Sequence, residues 1–150
     1  MRSRLALAIV TAALLIAGAT PVSAAEAGRL TIEGHSLFAG VSTFVAHGSG
    51  LCRSGTIADD TKVIDLNTVL VFDVRQTLTC DDGSGAVSLR VLARVHLCDQ
   101  TDRGIWTITG GTGAYLHLRG AGTVVGTYFP GNSCTADGID DHYTGVTWNH

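Results

Sequence analysis

The chain has 150 residues, a length typical of one domain with a single core, and its hydrophobic fraction of 45% is ordinary for a globular protein. Its formal net charge is −3, and its ten lysine and arginine residues form no cluster. These values exclude the basic surface on which nucleic-acid binding depends.

The first 24 residues have the features of a secretory signal peptide and not of a folded segment. A basic start, MRSR, precedes the apolar run LALAIVTAALLIA, and small residues follow. This run is shorter than the roughly 20 residues that a helix needs to cross a bilayer. We expect cleavage after Ala24, with Ala25 and Ala27 as alternatives. The mature protein, residues 25–150, would then be secreted as a single domain with a formal charge of −5 and no membrane anchor.

Three short strand candidates begin the mature part of the chain: RLTIEG (29–34), VSTFVAH (41–47) and GTIAD (55–59). Each contains β-branched residues and lies between turn-forming residues. We interpret Ala58 to Asp60 as a turn that ends the third strand. No helical period occurs here or elsewhere in the mature chain.

Two long segments come next, and their alternation of polar and apolar residues predicts a hairpin. The inner faces are Leu70, Phe72, Val74, Gln76, Leu78 and Cys80, followed by Val87, Leu89, Val91, Ala93, Val95 and Leu97. The dipeptide Asp82-Gly83 between them suits a two-residue type I′ turn. That turn sets a register in which Leu78 faces Val87, so apolar residues meet across the hairpin.

The runs IWTIT (105–109) and AGTVVGTYF (121–129) predict two further strands, and the stretch GGTGAYLHLRGAGT, Gly110 to Thr123, connects them. A phosphate-binding loop would need a helix after the glycines, and none is predicted. A disordered linker is disfavoured because Tyr115 and two leucines are interleaved with the glycines. We therefore interpret the stretch as a tight connection at a barrel rim, where glycine supplies positive φ and bulges.

The acidic cluster DGIDDHY, Asp137 to Tyr143, overlaps the last strand candidate, DHYTGVTW (141–148). Its three carboxylates and one imidazole could bind a metal or form a general acid–base pair. We favour a polar turn that leads into the strand, and we likewise interpret Cys80 to Gly83 as a turn. No hydrolase, zinc-protease or Cys-His signature occurs, so no metal site and no cofactor are predicted.

About eight strands without helices predict an all-β fold. A small antiparallel eight-stranded barrel fits best because closure leaves no exposed strand edge, and a β-sandwich is the alternative.

The four cysteines lie in the part of the chain that would be secreted, where oxidising conditions favour two disulfides. Cys80 and Cys98 lie near opposite ends of one predicted strand, too far apart to be bridged. A bridge across two antiparallel neighbours joins cysteines that are equidistant from the turn between them. The pairs Cys52–Cys80 and Cys98–Cys134 meet this condition, and we prefer them. The second pair would then enclose the glycine-rich stretch. The pattern Cys52–Cys98 with Cys80–Cys134 is the alternative.

The segment WTITGGTGAYLHLRGAGT, Trp106 to Thr123, resembles the signature of the allene oxide cyclase barrel-like group, which is similar to the plant dirigent proteins. The resemblance extends loosely to Thr79–Val91 and Asp140–Gly145, about half of the mature chain. It implies an eight-stranded antiparallel barrel with an apolar cavity, often assembled into trimers. Some relatives guide cyclisation or radical coupling of a bound hydrophobic substrate without a cofactor. No catalytic residue is carried over, because the cavity residues of those relatives lie outside the glycine motif.

We expect a secreted, extracellular barrel that binds a hydrophobic small molecule. The alternatives are a cofactor-free cyclase, isomerase or dirigent-like protein, and a structural or interaction module with a filled barrel. The resemblance also implies a trimer, so other copies of the chain are a further expected partner. No nucleic-acid partner is expected. Candidate ligand-binding residues are Phe72, Gln76, Trp106 and Tyr115. Packing in the core is the competing explanation for Gln76, Trp106 and Tyr115.

Overall fold

A computed structural model describes residues 27–149, which form one closed barrel of eight antiparallel strands. The strands are β1 (Gly28–Leu37), β2 (Ser42–Gly48), β3 (Ser54–Asp65), β4 (Val69–Cys80), β5 (Ala86–His96), β6 (Thr101–Gly111), β7 (Leu118–Phe129) and β8 (Gly138–Asn149). Each strand pairs with the next along the chain, and β8 pairs with β1. The predicted barrel is therefore confirmed, and the sandwich alternative is wrong.

The predicted signal peptide, residues 1–24, lies outside the described residues. Between residues 27 and 149, no helix is long and apolar enough to cross a membrane.

The register of the long hairpin is the predicted one: Leu78 faces Val87 across β4 and β5. The predicted type I′ turn is wrong, because it needs positive φ at both central residues and only Gly83 has it, at 74°. Instead a four-residue loop follows Cys80, whose N–H donates to Gly85 O at 3.0 Å. The loop has the same centre as the predicted turn, so the register is unchanged.

The predicted inner face of β5 is one residue too long. The strand ends at His96, and Leu97 is 49% exposed in the connection to β6, where its N–H donates to Thr68 O at 2.9 Å. The alternating pattern continued past the end of the strand because it does not mark where strand pairing stops.

One half of the barrel interior is packed with apolar side chains. This half lies toward the β2–β3, β4–β5 and β6–β7 connections, and its core includes Leu30, Ile32, Phe44, Leu78, Val87, Leu89, Trp106, Ile108 and Leu118. The Trp106 indole lies over two glycines, because a Cβ on Gly122 or Gly145 would come within 2.7 or 2.5 Å of the indole ring. The indole Nε1–H points to Thr123 O at 3.1 Å and to Thr144 O at 3.3 Å. The Trp106 indole is therefore fixed in place and fills this half of the interior.

The glycine-rich stretch connects β6 and β7 at the packed end, as predicted. The chain makes one 3-10 turn over Gly113–Tyr115, with φ of 59° at Gly113. Tyr115 is buried beneath this turn, and its hydroxyl lies 2.7 Å from Ser84 Oγ and 3.5 Å from Cys80 Sγ. These contacts join the turn to the β4–β5 loop.

Both preferred disulfides are present, with Cα–Cα distances of 6.0 Å for Cys52–Cys80 and 4.8 Å for Cys98–Cys134. The alternative pairing is wrong. Cys98–Cys134 encloses the glycine-rich stretch along the chain but does not hold it in place, because the disulfide joins the β5–β6 and β7–β8 connections at the opposite end of the barrel. Two disulfides indicate an oxidising environment.

Candidate functional site: the barrel cavity

The other half of the barrel interior is a cavity of ≈ 760 Å³. It lies toward the β1–β2, β3–β4, β5–β6 and β7–β8 connections, and its volume is that of a small-molecule site. Its apolar wall includes Ile57, Leu70, Phe72, Val74, Val91, Ala93 and Val124. Two further lining residues, Phe38 and Val63, are 61% and 52% exposed and mark an apolar mouth.

Six polar residues line the cavity on neighbouring strands, and we call them the polar belt. They come from five strands: Asp59, Gln76, Asp102, Tyr128, Asp141 and Tyr143. All but Asp59 are buried. Asp59 is accessible to water inside the cavity although protein atoms surround its carboxyl group.

Two carboxyl groups of the polar belt meet above one glycine. Asp102 on β6 and Asp141 on β8 are both register partners of Gly126 on β7. A Cβ on Gly126 would lie 2.6 Å from Asp102 Oδ1 and 2.9 Å from Asp141 Oδ1. Glycine at this position therefore lets both carboxyl groups reach the same space. Gly126 N–H donates to Asp102 Oδ1 at 3.0 Å, and the Tyr128 hydroxyl donates to Asp102 Oδ2 at 3.2 Å.

The burial of these carboxyl groups changes their ionisation. Desolvation, followed by the negative charge of Asp102, raises the pKa of Asp141 to about 8. Desolvation also raises the pKa of Asp102, although hydrogen bonds from Tyr128 and Gly126 oppose the shift. Asp141 is therefore a neutral carboxylic acid at neutral pH, next to a second carboxyl group that two donors hold in place.

The hydrogen bonds of Tyr143 fit a protonated Asp141. The Tyr143 hydroxyl oxygen lies 2.9 Å from Gln76 Oε1 and 3.2 Å from Asp141 Oδ2, but it has one proton to donate. The amide oxygen of Gln76 can only accept. With Asp141 protonated, Asp141 donates to the Tyr143 oxygen while Tyr143 donates to Gln76, so both contacts are hydrogen bonds.

The same network continues to Asp59, the register partner of Gln76 across β3 and β4. Because Gln76 Oε1 accepts from Tyr143, its NH₂ group is free to donate to Asp59. Burial raises the pKa of Asp59, and this hydrogen bond from Gln76 opposes the rise. The hydrogen bonds of the polar belt thus run in one direction, from the neutral acid Asp141 through Tyr143 and Gln76 to the acceptor Asp59.

Two lining hydroxyl groups, those of Ser36 and Ser133, lack a hydrogen-bond partner among residues 27–149. Ser36 is 4% exposed, and its Oγ has no partner among residues 27–149. A buried unpaired hydroxyl costs on the order of 1–3 kcal/mol. Ser36 therefore offers a bonding position to a molecule in the cavity.

Two of the four candidate ligand-binding residues, Phe72 and Gln76, line the cavity. Trp106 and Tyr115 do not, because both lie in the packed half. Trp106 is held there by the carbonyl groups that its indole contacts, and Tyr115 by the β4–β5 loop.

Two predicted turns are wrong. Ala58 to Asp60 lies inside β3, which continues to Asp65, and Gly138 to Tyr143 lies inside β8. Because side chains alternate along a strand, the acidic cluster is divided between two faces. Asp141 and Tyr143 face the cavity, whereas Asp140 and His142 face outward.

The outward members of the acidic cluster form surface pairs. Asp140 Oδ1 lies 2.7 Å from His35 Nδ1, and His142 Nδ1 lies 2.7 Å from Glu33 Oε1. In the part of the chain that the structure describes, no group of three or more His, Cys, Asp or Glu residues is arranged to hold a metal ion.

The sequence contained two signals for the residues that were missed. Asp141 and Tyr143 are two positions apart and so share a strand face. Asp102 lies two positions before Gly104 and four before Trp106, so extending the predicted strand 105–109 toward its N-terminus would have placed it on the inner face.

Comparisons with models of known protein families, with curated proteins and with solved structures find no match to this chain. The resemblance to the allene oxide cyclase barrel-like group therefore stays a prediction.

Proposed function

We propose that the protein is secreted and binds a hydrophobic small molecule in the barrel cavity. The ≈ 760 Å³ cavity with its apolar wall is the observation that carries the proposal. Cavities of this size enclose most of the surface of a small ligand, and burial of apolar area supplies the affinity. The resemblance to allene oxide cyclase-like and dirigent proteins supports the same function. The two disulfides and the leader-like residues 1–24 support secretion.

Filling the cavity with a side chain tests the proposal. Ala93 lies on the cavity wall, and Leu92 lies next to it on the outer face of β5. Nile red, a neutral dye whose emission rises in apolar surroundings, serves as the ligand. We expect Ala93→Trp to abolish the increase in emission and Leu92→Trp to retain it, with both variants folded by circular dichroism. Equal emission with both variants would show that the dye binds elsewhere and would contradict the proposal.

A cofactor-free isomerase or cyclase is the second candidate, and the pair Asp102 and Asp141 favours it. A neutral acid with a pKa of about 8 beside another carboxyl group is suited to general acid–base catalysis near neutral pH. Asp141 would donate a proton to one atom of the bound molecule while Asp102 accepts a proton from another. The bonds of the substrate then rearrange without net oxidation, and the cavity wall holds one reactive conformer.

This second candidate is tested with the ligand that co-purifies with the protein, incubated in heavy water. We expect the wild-type protein to convert the ligand and to place deuterium on carbon, and we expect Asp141→Asn to bind the ligand without converting it. A ligand that neither takes up deuterium nor isomerises with the wild-type protein would leave binding as the function.

A further inference from the structure

The cavity has an unbalanced charge. Three carboxyl groups line it, and among the described lining residues there is no lysine, arginine or histidine. A carboxylate in a partly desolvated site is costly unless a cation or several donors compensate it. Asp102 receives two donors and has no ion pair. A positive charge brought by a ligand would supply the missing compensation.

The cavity also offers free hydrogen-bond acceptors near Gly126. Each oxygen of Asp102 accepts one hydrogen bond and has a lone pair left. The unpaired Oγ of Ser36 can accept as well. Ser36 is the diagonal neighbour of Asp141 across β1 and β8, because Asp141 pairs with Gly34 and Ser36 follows two residues later on the same face. The room beside Gly126 itself is filled by the two carboxyl oxygens and an isoleucine methyl group, so these acceptors are open to a ligand only on their cavity side.

We propose that the ligand is an apolar molecule that carries a protonated amine. Its ammonium group lies above Gly126, where Asp102, Asp141 and Ser36 can each accept one of its N–H groups. Its apolar part lies against the apolar wall formed by Phe72, Val74 and Val91. This inference rests on the proposed binding function and adds the chemical class of the ligand.

Three ligands with the same ten-carbon chain separate the inference from the proposed function. Decylamine, decanol and decanoate carry a positive, a neutral and a negative end group at pH 7. Their dissociation constants are measured by isothermal titration calorimetry with the disulfide-bonded protein. We expect decylamine to bind about tenfold to one hundredfold more tightly than decanol, as charge-assisted hydrogen bonds imply, and decanoate to bind most weakly.

Each outcome of this comparison is decisive. If decanol binds as tightly as decylamine, or more tightly, the amine inference is overturned while the binding function stands. If none of the three ligands binds, the proposed function fails and the inference fails with it.

Variants of the carboxyl groups supply the matched control. We expect Asp102→Asn to remove most of the preference for decylamine while leaving decanol binding intact, which also shows that the cavity is still formed. Asp140→Asn changes a carboxyl group on β8 that faces outward to His35, and it should keep the full preference. Retention of the preference in Asp102→Asn, or its loss in Asp140→Asn, would overturn the proposal.

Discussion

Replacing Asp141 by asparagine should change how the stability of the protein depends on pH. Asparagine has nearly the same shape as a protonated aspartic acid and cannot ionise. In the folded protein the pKa of Asp141 is about 8, against 3.8 for an aspartate in the unfolded chain. Between these two values the folded state keeps the proton and the unfolded state releases it. The free energy of unfolding must therefore fall as pH rises.

The size of this effect follows from the two pKa values. While the folded state binds one more proton than the unfolded state, stability falls by about 1.4 kcal/mol per pH unit. From pH 5 to pH 8 the wild-type protein should lose about 3 to 4 kcal/mol relative to Asp141→Asn. Above pH 8 the difference should level off, because Asp141 is then ionised in both states. Asp59, Asp102 and Tyr128 are present in both proteins, and because Asp141 stays neutral below pH 8, its replacement by asparagine changes their electrostatic surroundings little in this range.

Urea denaturation at several pH values between 5 and 9 measures this difference, with the free energy of unfolding extrapolated to water. Asp140→Asn is the control, because it removes an adjacent carboxyl group that is exposed and paired with His35. Its curve should run parallel to that of the wild-type protein. If the curve of Asp141→Asn also runs parallel to the wild type, Asp141 is ionised throughout this range, and the reasoning on the polar belt is refuted.

Three further substitutions test other parts of the structure. Gly126→Ala places a Cβ against both carboxyl groups, so it should lower the free energy of unfolding by about 1–3 kcal/mol and weaken ligand binding. Gly110→Ala is the control, because its Cβ meets nothing within 4 Å, and it should change neither quantity. Equal effects of the two substitutions in urea denaturation would contradict the close approach at Gly126. Trp106→Ala should lower the free energy of unfolding by about 3–5 kcal/mol, and a loss below 1 kcal/mol would show that the indole does not fill the packed half. Removing the Cys98–Cys134 disulfide by a double serine substitution should lower stability by about 2–5 kcal/mol, and unchanged thermal unfolding would show that the disulfide contributes nothing.

The sequence predicted the barrel and the disulfides because both follow from local regularities. The alternation in β4 and β5 and the short connection between them determine a register in which Leu78 faces Val87. The register and the turn-like segments then limit which cysteines can meet. These arguments need no knowledge of distant contacts, and the structure agrees with them.

The polar belt was not predictable in the same way. Strand prediction relies on apolar inner faces, so Asp59 and Asp141, which lie at the ends of two strand candidates, were interpreted as parts of turns. Only closure of the barrel brings β3, β6 and β8 around one space, and only the absence of a side chain at Gly126 lets two carboxyl groups meet there. The sequence also left open whether Trp106 lines the cavity or packs in the core, because an alternating pattern identifies the inner face of a strand but not which half of the barrel is packed.

Native mass spectrometry of the disulfide-bonded protein, purified from the medium of cells that secrete it, tests the central claim most directly. We expect a bound small molecule that is released on unfolding, is present in the wild-type and Leu92→Trp proteins, and is absent from Ala93→Trp. Bare protein alone in all three samples, even after incubation with decylamine, decanol and decanoate, would contradict it.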